Sequence, residues 1–124
     1  MAEARILIID DDDAVRRVLR RVLEQAGYQV ADAPGGREGL RLIEQQRIDL
    51  VLCDMLMPEM DGIETIQNLR RLYPAIPIIA MSGGGAVDPS LYLNLALKMR
   101  VRKTLYKPID AESLLGTVQD TLGG

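Results

Sequence analysis

The chain has 124 residues, of which 48% are hydrophobic and 27% charged, and its formal net charge is −3. These proportions belong to a folded globular domain and exclude both a disordered chain and a strongly basic nucleic-acid binder. Histidine is absent, cysteine occurs once (Cys53) and the only aromatics are four tyrosines, which excludes histidine triads, histidine metal ligands and an intramolecular disulfide and leaves an aliphatic core.

The chain opens on Met1-Ala2-Glu3-Ala4-Arg5, of mixed charge, followed by a short apolar run from Ile6 to Ile9. A signal peptide needs a basic start and a longer apolar stretch, and no run approaches the roughly 18 residues of a membrane helix. The expected address is the cytoplasm, with neither a membrane nor nucleic acid as a direct partner. Arg5 to Asp10 reads as a buried strand. Val15, Val18, Leu19, Val22, Leu23 and Ala26 then recur at helical spacing, with Arg16, Arg17, Arg20 and Arg21 on what reads as a solvated opposite face. Gly27 ends that helix. Tyr28 to Ala31 is a second strand pattern. Ile48 to Asp54 and Ile76 to Met81 are β-branched runs of buried type, and Thr104 to Tyr106 is a short last strand.

Asp61 with Glu64 forms a capping-box pattern. Asp88-Pro89 reads as a cap with proline at the first helical position, opening a helix from Pro89 to Met99. Asp110 caps the last helix, with Ile109 and Leu114 spaced as a hydrophobic staple. Strands alternating with helices predict an α/β fold with a parallel sheet covered on both faces. No repeat or linker interrupts the pattern, so residues 1–124 read as a single domain without an effector domain.

Ligands of such sheets bind beyond the carboxyl ends of the strands. The first strand delivers Asp10-Asp11-Asp12-Asp13 there, the third Asp54, the fourth Ser82 and three glycines, and the fifth Lys107-Pro108. Asp32, after the second strand, has no evident role. Neighbouring strands lie about 4.8 Å apart. If the first and third are neighbours, Asp10, Asp11 and Asp54 crowd together, and two like charges about 4 Å apart repel by roughly 4 kcal/mol at an effective dielectric near 20. Such a cluster recruits a cation, and an all-oxygen donor set favours Mg²⁺. A carboxylate nucleophile beside Mg²⁺, a lysine and a hydroxyl is equipped for phosphoryl transfer. Asp12 and Asp13 read as carboxylates favoured at a helix start, and Cys53 as a small buried residue.

Asp10-Asp11, Asp54 with Met57-Pro58 and Asp61-Gly62, Ser82, and Lys107-Pro108 together resemble the receiver domain of bacterial response regulators, in order and over nearly the whole chain. The resemblance implies a flavodoxin-like, doubly wound (βα)5 fold with strand order 2-1-3-4-5. It implies that Asp54 accepts a phosphoryl group from a phosphohistidine on a sensor histidine kinase. Asp11, Asp54 and the backbone carbonyl of Leu56 would bind Mg²⁺ directly, Asp10 would act through a bound water, and Ser82 and Lys107 would contact the phosphoryl oxygens. The first helix would lie near the kinase docking surface. Output would pass to a partner protein or to a phosphotransfer relay domain, and the resemblance also allows a homodimer through the face containing the helix read from Pro89 to Met99.

The sequence departs from that family at three places. Thr104 stands where an aromatic switch residue is common, and Tyr106, two residues on and so on the same strand face, is the candidate to replace it. The stretch from Ser82 to Lys107 is longer than usual and begins Gly83-Gly84-Gly85, which predicts a loop that orders around phosphate. Arg100 stands where the family has glycine, which predicts a different helix end, because the left-handed conformation costs a non-glycine residue roughly 1–2 kcal/mol. Leu56 and Gly84, at the positions that tune hydrolysis, cannot orient a water and predict a phosphoryl group that persists for many minutes or longer. Lys98, Arg100, Arg102 and Lys103 form a basic cluster that fits either ordinary surface charge or an acidic partner. Two other readings compete: a phosphorylation-independent binding module of the same fold, and a haloacid-dehalogenase-type phosphatase using Asp11 in Asp11-Asp12-Asp13-Ala14-Val15.

Overall fold

Successive residues of a strand point to opposite faces, and the apolar runs obey that rule on both sides of one sheet. The computed structural model describes residues 4–55, 62–83, 94 and 98–123. Strands β1 (Arg5–Ile9), β2 (Gln29–Ala33), β3 (Leu50–Asp54), β4 (Ile78–Ser82) and β5 (Lys103–Tyr106) form a parallel sheet in the order β2-β1-β3-β4-β5. Four helices are present among the described residues: α1 (Asp13–Gln25), α2 (Gly36–Gln45), α3 (Gly62–Leu72) and α4 (Ala111–Gly123). Ile6, Ile8, Leu50, Leu52, Ile79 and Met81 face α1 and α4 through Leu19, Leu23, Leu114 and Val118. Leu7, Ile9, Val51, Cys53, Ile78 and Ala80 face α2 and α3 through Ile43, Ile66 and Leu69. Burial on both faces is why the central strands read as unbroken apolar runs. The predicted doubly wound fold and its strand order are those observed.

The helix signals hold where they can be read. Asp12 Oδ1 accepts the backbone N–H groups of Ala14 at 2.9 Å and Val15 at 3.2 Å, which satisfies two of the donors a helix start leaves open. Asp110 Oδ1 accepts from Ser113 N at 2.7 Å. Gly27 follows α1 with a φ of 99°, a conformation that suits glycine. The capping box at Asp61 and the Asp88-Pro89 cap lie outside the described residues; of the helix predicted from Pro89 to Met99, Asn94 and Lys98 are described and are helical.

The structure corrects the sequence reading at several points. β3 begins at Leu50 rather than Ile48, and β4 at Ile78 rather than Ile76, whose N–H instead closes a turn on the carbonyl of Tyr73 at 3.2 Å. β2 runs on to Ala33, paired with Ile9. Arg100 adopts the left-handed conformation after all, with φ 65°, at a cost of roughly 1–2 kcal/mol. Its neighbours account for this. Val101 is buried in the α2–α3 core, Met99 packs against that core, and Arg102 N donates to Ile78 O at 2.8 Å. The turn between these anchors has to close at residue 100, whatever stands there. The four arginines of α1 are not uniformly solvated either: the Arg16 side chain is only 14% exposed and belongs to the site described next.

Replacing the α1 cap, Asp12→Ala, is expected to lower the unfolding free energy by about 1 kcal/mol. Urea denaturation would show this as a lower midpoint at unchanged slope, and an unchanged midpoint would contradict the cap's role.

Candidate functional site

Each strand of a parallel sheet delivers its last residue to the same edge, so the side chains that end β1, β3 and β4 converge by topology. Asp10 follows β1 and is fully buried, with its N–H donated to Ala33 O at 3.1 Å. Asp54 ends β3 and is 3% exposed. One carboxylate oxygen each from Asp10, Asp11 and Asp54 falls within 4.8 Å of the others. Asp11 lies at the exposed mouth of the group. Lys107, just beyond β5, places Nζ 2.7 Å from Asp10 Oδ2 and 3.4 Å from Asp54 Oδ2. Burial pushes the Lys107 ammonium down, but its bond to Asp10 and the Asp54 and Asp10 charges outweigh that and hold it above the ordinary lysine value. Lys107 is therefore charged throughout the neutral range.

Three carboxylates against one ammonium leave the pocket with an excess of negative charge. A hard divalent cation matches that excess, and the donor set is all oxygen, which suits Mg²⁺. The residues present therefore fit the metal that the acidic cluster predicts. Leu56, expected to add a backbone carbonyl, lies outside the described residues.

Ser82, the last residue of β4, is 3% exposed. It follows Met81, the residue in register with Asp54, and its carbonyl accepts Lys107 N–H at 2.6 Å. Thr104 lies opposite Ala80 and is half-buried, whereas Tyr106 lies opposite Ser82 and is 56% exposed at the sheet edge.

Two glycines permit this convergence through close contacts that the sequence does not reveal. A Cβ on Gly62, the first residue of α3, would stand 2.0 Å from the carbonyl oxygen of Asp54 and 2.3 Å from Cα of Met55. The helix start is thus packed directly on the backbone that carries Asp54. Gly83 has φ 147°, and a Cβ there would fall 2.9 Å from Cβ of Lys107, so glycine lets β4 and the Lys107 segment close on each other. Gly84 and Gly85, the rest of the predicted loop, lie outside the described residues.

Sequence reasoning also left Asp32 without a role and treated Arg16 as solvated. Arg16 Nη1 donates to the backbone carbonyl of Asp10 at 2.7 Å and Nε to Asp32 Oδ1 at 3.2 Å. Arg20 Nη1 reaches the other oxygen of Asp32 at 2.6 Å. Arg16 also pairs with Asp13. Asp10 Oδ1 in turn accepts Asp12 N–H at 2.9 Å. The loop that carries Asp10 and Asp11 is therefore clasped between β2 and α1. The Asp13-x-x-Arg16 spacing at the end of the acidic run was the local signal, and it needs the position of β2 to acquire meaning.

The geometry matches the comparisons with known proteins. Residues 6–119 match the family model of the response regulator receiver domain, and the chain belongs to that family. The transcriptional regulatory protein ZraR of Escherichia coli (strain K12) is 39% identical over 117 residues, 94% of this chain and 26% of ZraR. The response regulator MprA of Mycolicibacterium vanbaalenii is 38% identical over 118 residues, 95% of this chain and 50% of MprA. The chain thus spans about a quarter to a half of the length of these curated relatives. Among solved structures, a CheY-like receiver domain protein from Methanospirillum hungatei superposes with a TM-score of 0.88 at 30% identity, covering 98% of this chain and 95% of that one. Chemotaxis protein CheY4 of Vibrio cholerae gives 0.88 at 31% identity, covering 98% and 100%. The phosphatase reading of Asp11 is not upheld: that residue is the exposed member of a receiver pocket whose buried carboxylates are Asp10 and Asp54.

A side chain at Gly62 has no room. Gly62→Ala is expected to destabilise the fold by at least about 1–3 kcal/mol, the range for forced overpacking, and to displace Asp54. Urea denaturation and backbone amide chemical shifts at Asp54 and Met55 would show both effects, and a variant matching the wild type in both would refute the contact.

Proposed function

We propose that this receiver domain takes a phosphoryl group onto Asp54 from a phosphohistidine on a sensor histidine kinase. The observation that carries the reading is the grouping of buried Asp54 with Asp10, Asp11 and Lys107 at one sheet edge. An Asp54 carboxylate oxygen attacks phosphorus. The P–O bond forms as the P–N bond breaks, and the imidazole nitrogen leaves with the electron pair. Lys107 and the Ser82 hydroxyl bind the transferring oxygens, where positioning and charge neutralisation carry most of the rate. Asp10, Asp11 and Asp54, with the Leu56 carbonyl, would hold Mg²⁺, which when bound offsets the negative charge brought by the phosphoryl group. Hydrolysis reverses the state: water attacks phosphorus, inorganic phosphate leaves and the carboxylate is regenerated.

The kinase has a surface to meet beside these atoms. Ala14, Val15, Val18, Leu19, Pro108 and Ile109 line an apolar groove that Lys107 closes, with a cavity of about 240 Å³. Val18 is 58% exposed, and Arg17 and Arg21 are exposed on the same helix. A donor histidine delivered to Asp54 brings its own protein over this groove. Phosphorylation adds roughly −1.5 to −2 charge to an already acidic pocket. The response passes through Ser82 and Lys107 to β4 and β5, and from there to a partner protein or phosphotransfer domain in the cytoplasm.

Incubation with acetyl phosphate tests the chemistry. Intact-protein mass spectrometry should show a single phosphoryl adduct with Mg²⁺, lost in EDTA and absent in Asp54→Asn. An unmodified wild type, or an equal adduct in Asp54→Asn, overturns the assignment. The switch is tested separately at Tyr106, which we assign the aromatic role that Thr104 cannot fill. Tyr106→Ala should abolish the phosphorylation-dependent change in hydrogen exchange across residues 98–106 while leaving adduct formation unchanged. An unaltered exchange response removes Tyr106 from the switch.

A further inference from the structure

The basic cluster between Lys98 and Lys103 is not used by the phosphoryl site. It lies at the amino end of β5, whereas Asp54 and Lys107 lie at the carboxyl end of the sheet. Arg70, in the last turn of α3, joins it from the helix that packs on the same sheet face as Met99 and Val101. Arg70, Lys98 and Arg100 line a cavity of about 360 Å³ together with Met99 and Pro74, within the size range of small-ligand pockets. No carboxylate lines it among the described residues. Arg70 Nη1 donates to Pro74 O at 3.0 Å, but its Nε is buried and has no partner among the described residues. A buried donor left unpaired is costly. Burial first, and then the charges of Arg102 and Arg100, pull the Arg70 guanidinium below the ordinary arginine value. Arg100 is held there at φ 65°, in a conformation that favours glycine.

Several unfavourable features therefore meet in one pocket: crowded like charges, a buried unpaired donor and a left-handed arginine. An anion relieves the first two at once. We infer that this pocket binds a small compound bearing two adjacent phosphates. The guanidinium forks of Arg70 and Arg100 match phosphate oxygens in pairs. One phosphate monoester carries roughly −1.5 to −2 charge and leaves the three lining cations undercompensated, whereas two phosphates offset them. Met99 and Pro74 supply an apolar wall beside the charges, where the body of an organic diphosphate fits. The site is independent of Asp54 and offers a second input to the β5 segment.

Calorimetric titration of the chain in EDTA, which keeps Mg²⁺ out of the acidic pocket, tests the inference with inorganic pyrophosphate, uridine diphosphate and inorganic phosphate as probes. Pyrophosphate is expected to bind one-to-one and at least tenfold tighter than phosphate. Tighter binding of uridine diphosphate than of pyrophosphate would identify an organic diphosphate as the source of the anion, and equal binding the bare diphosphate group. Arg70→Gln and Arg100→Gly should each weaken pyrophosphate at least tenfold, while Asp54→Asn binds as the wild type does. Arg100→Gly relieves the left-handed strain, so its Tm should rise as its affinity falls, which separates lost binding from lost folding. Absence of pyrophosphate binding at millimolar concentration overturns the inference. So does phosphate binding as tightly as pyrophosphate, affinity unchanged in both arginine variants, or a poly-glutamate peptide outcompeting pyrophosphate, which would make the pocket a protein-docking site.

Discussion

Asp10 and Asp54 end adjacent parallel strands, and strands in a sheet lie about 4.8 Å apart, so their charges have no room to separate. Asp11 adds a third carboxylate at the mouth. Repulsion of roughly 4 kcal/mol for a pair about 4 Å apart at an effective dielectric near 20 would open such a loop if nothing opposed it. Lys107 opposes it from β5 at 2.7 Å from Asp10, and Arg16 from α1 through the Asp10 carbonyl at 2.7 Å. The same concentration of charge that strains the fold gives the pocket an all-oxygen donor set that suits a divalent cation.

The backbone is arranged around this tension. α3 starts on Gly62 because its first residue rests against the Asp54 carbonyl, where a Cβ would stand at 2.0 Å. β4 ends on Ser82-Gly83 because the Lys107 segment closes over it, with Lys107 N–H on the Ser82 carbonyl at 2.6 Å. A shift at Lys107 or Ser82 is therefore transmitted along main chain as well as through side chains. Under the proposed function, a charge added at Asp54 would reach β5 by this route, because a closely packed core does not deform continuously.

Much of this was legible in the residues. Apolar runs buried on both faces marked β1, β3 and β4 as interior strands, and Asp10, Asp54 and Lys107 were recognisable as charges that close such strands. What escaped was contact between segments distant in sequence. Asp32 looked idle because its partners, Arg16 and Arg20, are on α1 and meet it only when α1 packs beside β2. Arg16 looked solvated because helical periodicity separates apolar from polar positions and says nothing of a polar side chain turned back over the loop before it. At Arg100 a local preference gave way to tertiary closure: Val101 and Arg102 are pinned to the core and to β4, and the turn before them takes φ 65° regardless of the arginine's preference.

The sequence by itself determined the alternation of strands and helices, the acidic helix start at Asp12 and Asp13, the cap at Asp110, and which charged side chains end the strands, because each depends on periodicity or on neighbours a few residues away. Only the tertiary structure decided which of those charges touch, why residues 62 and 83 are glycine, and that Arg70, Lys98 and Arg100 line one cavity. Those facts depend on strand order and helix packing, which bring together residues from separate elements of the chain, and no local pattern encodes a distance of that kind.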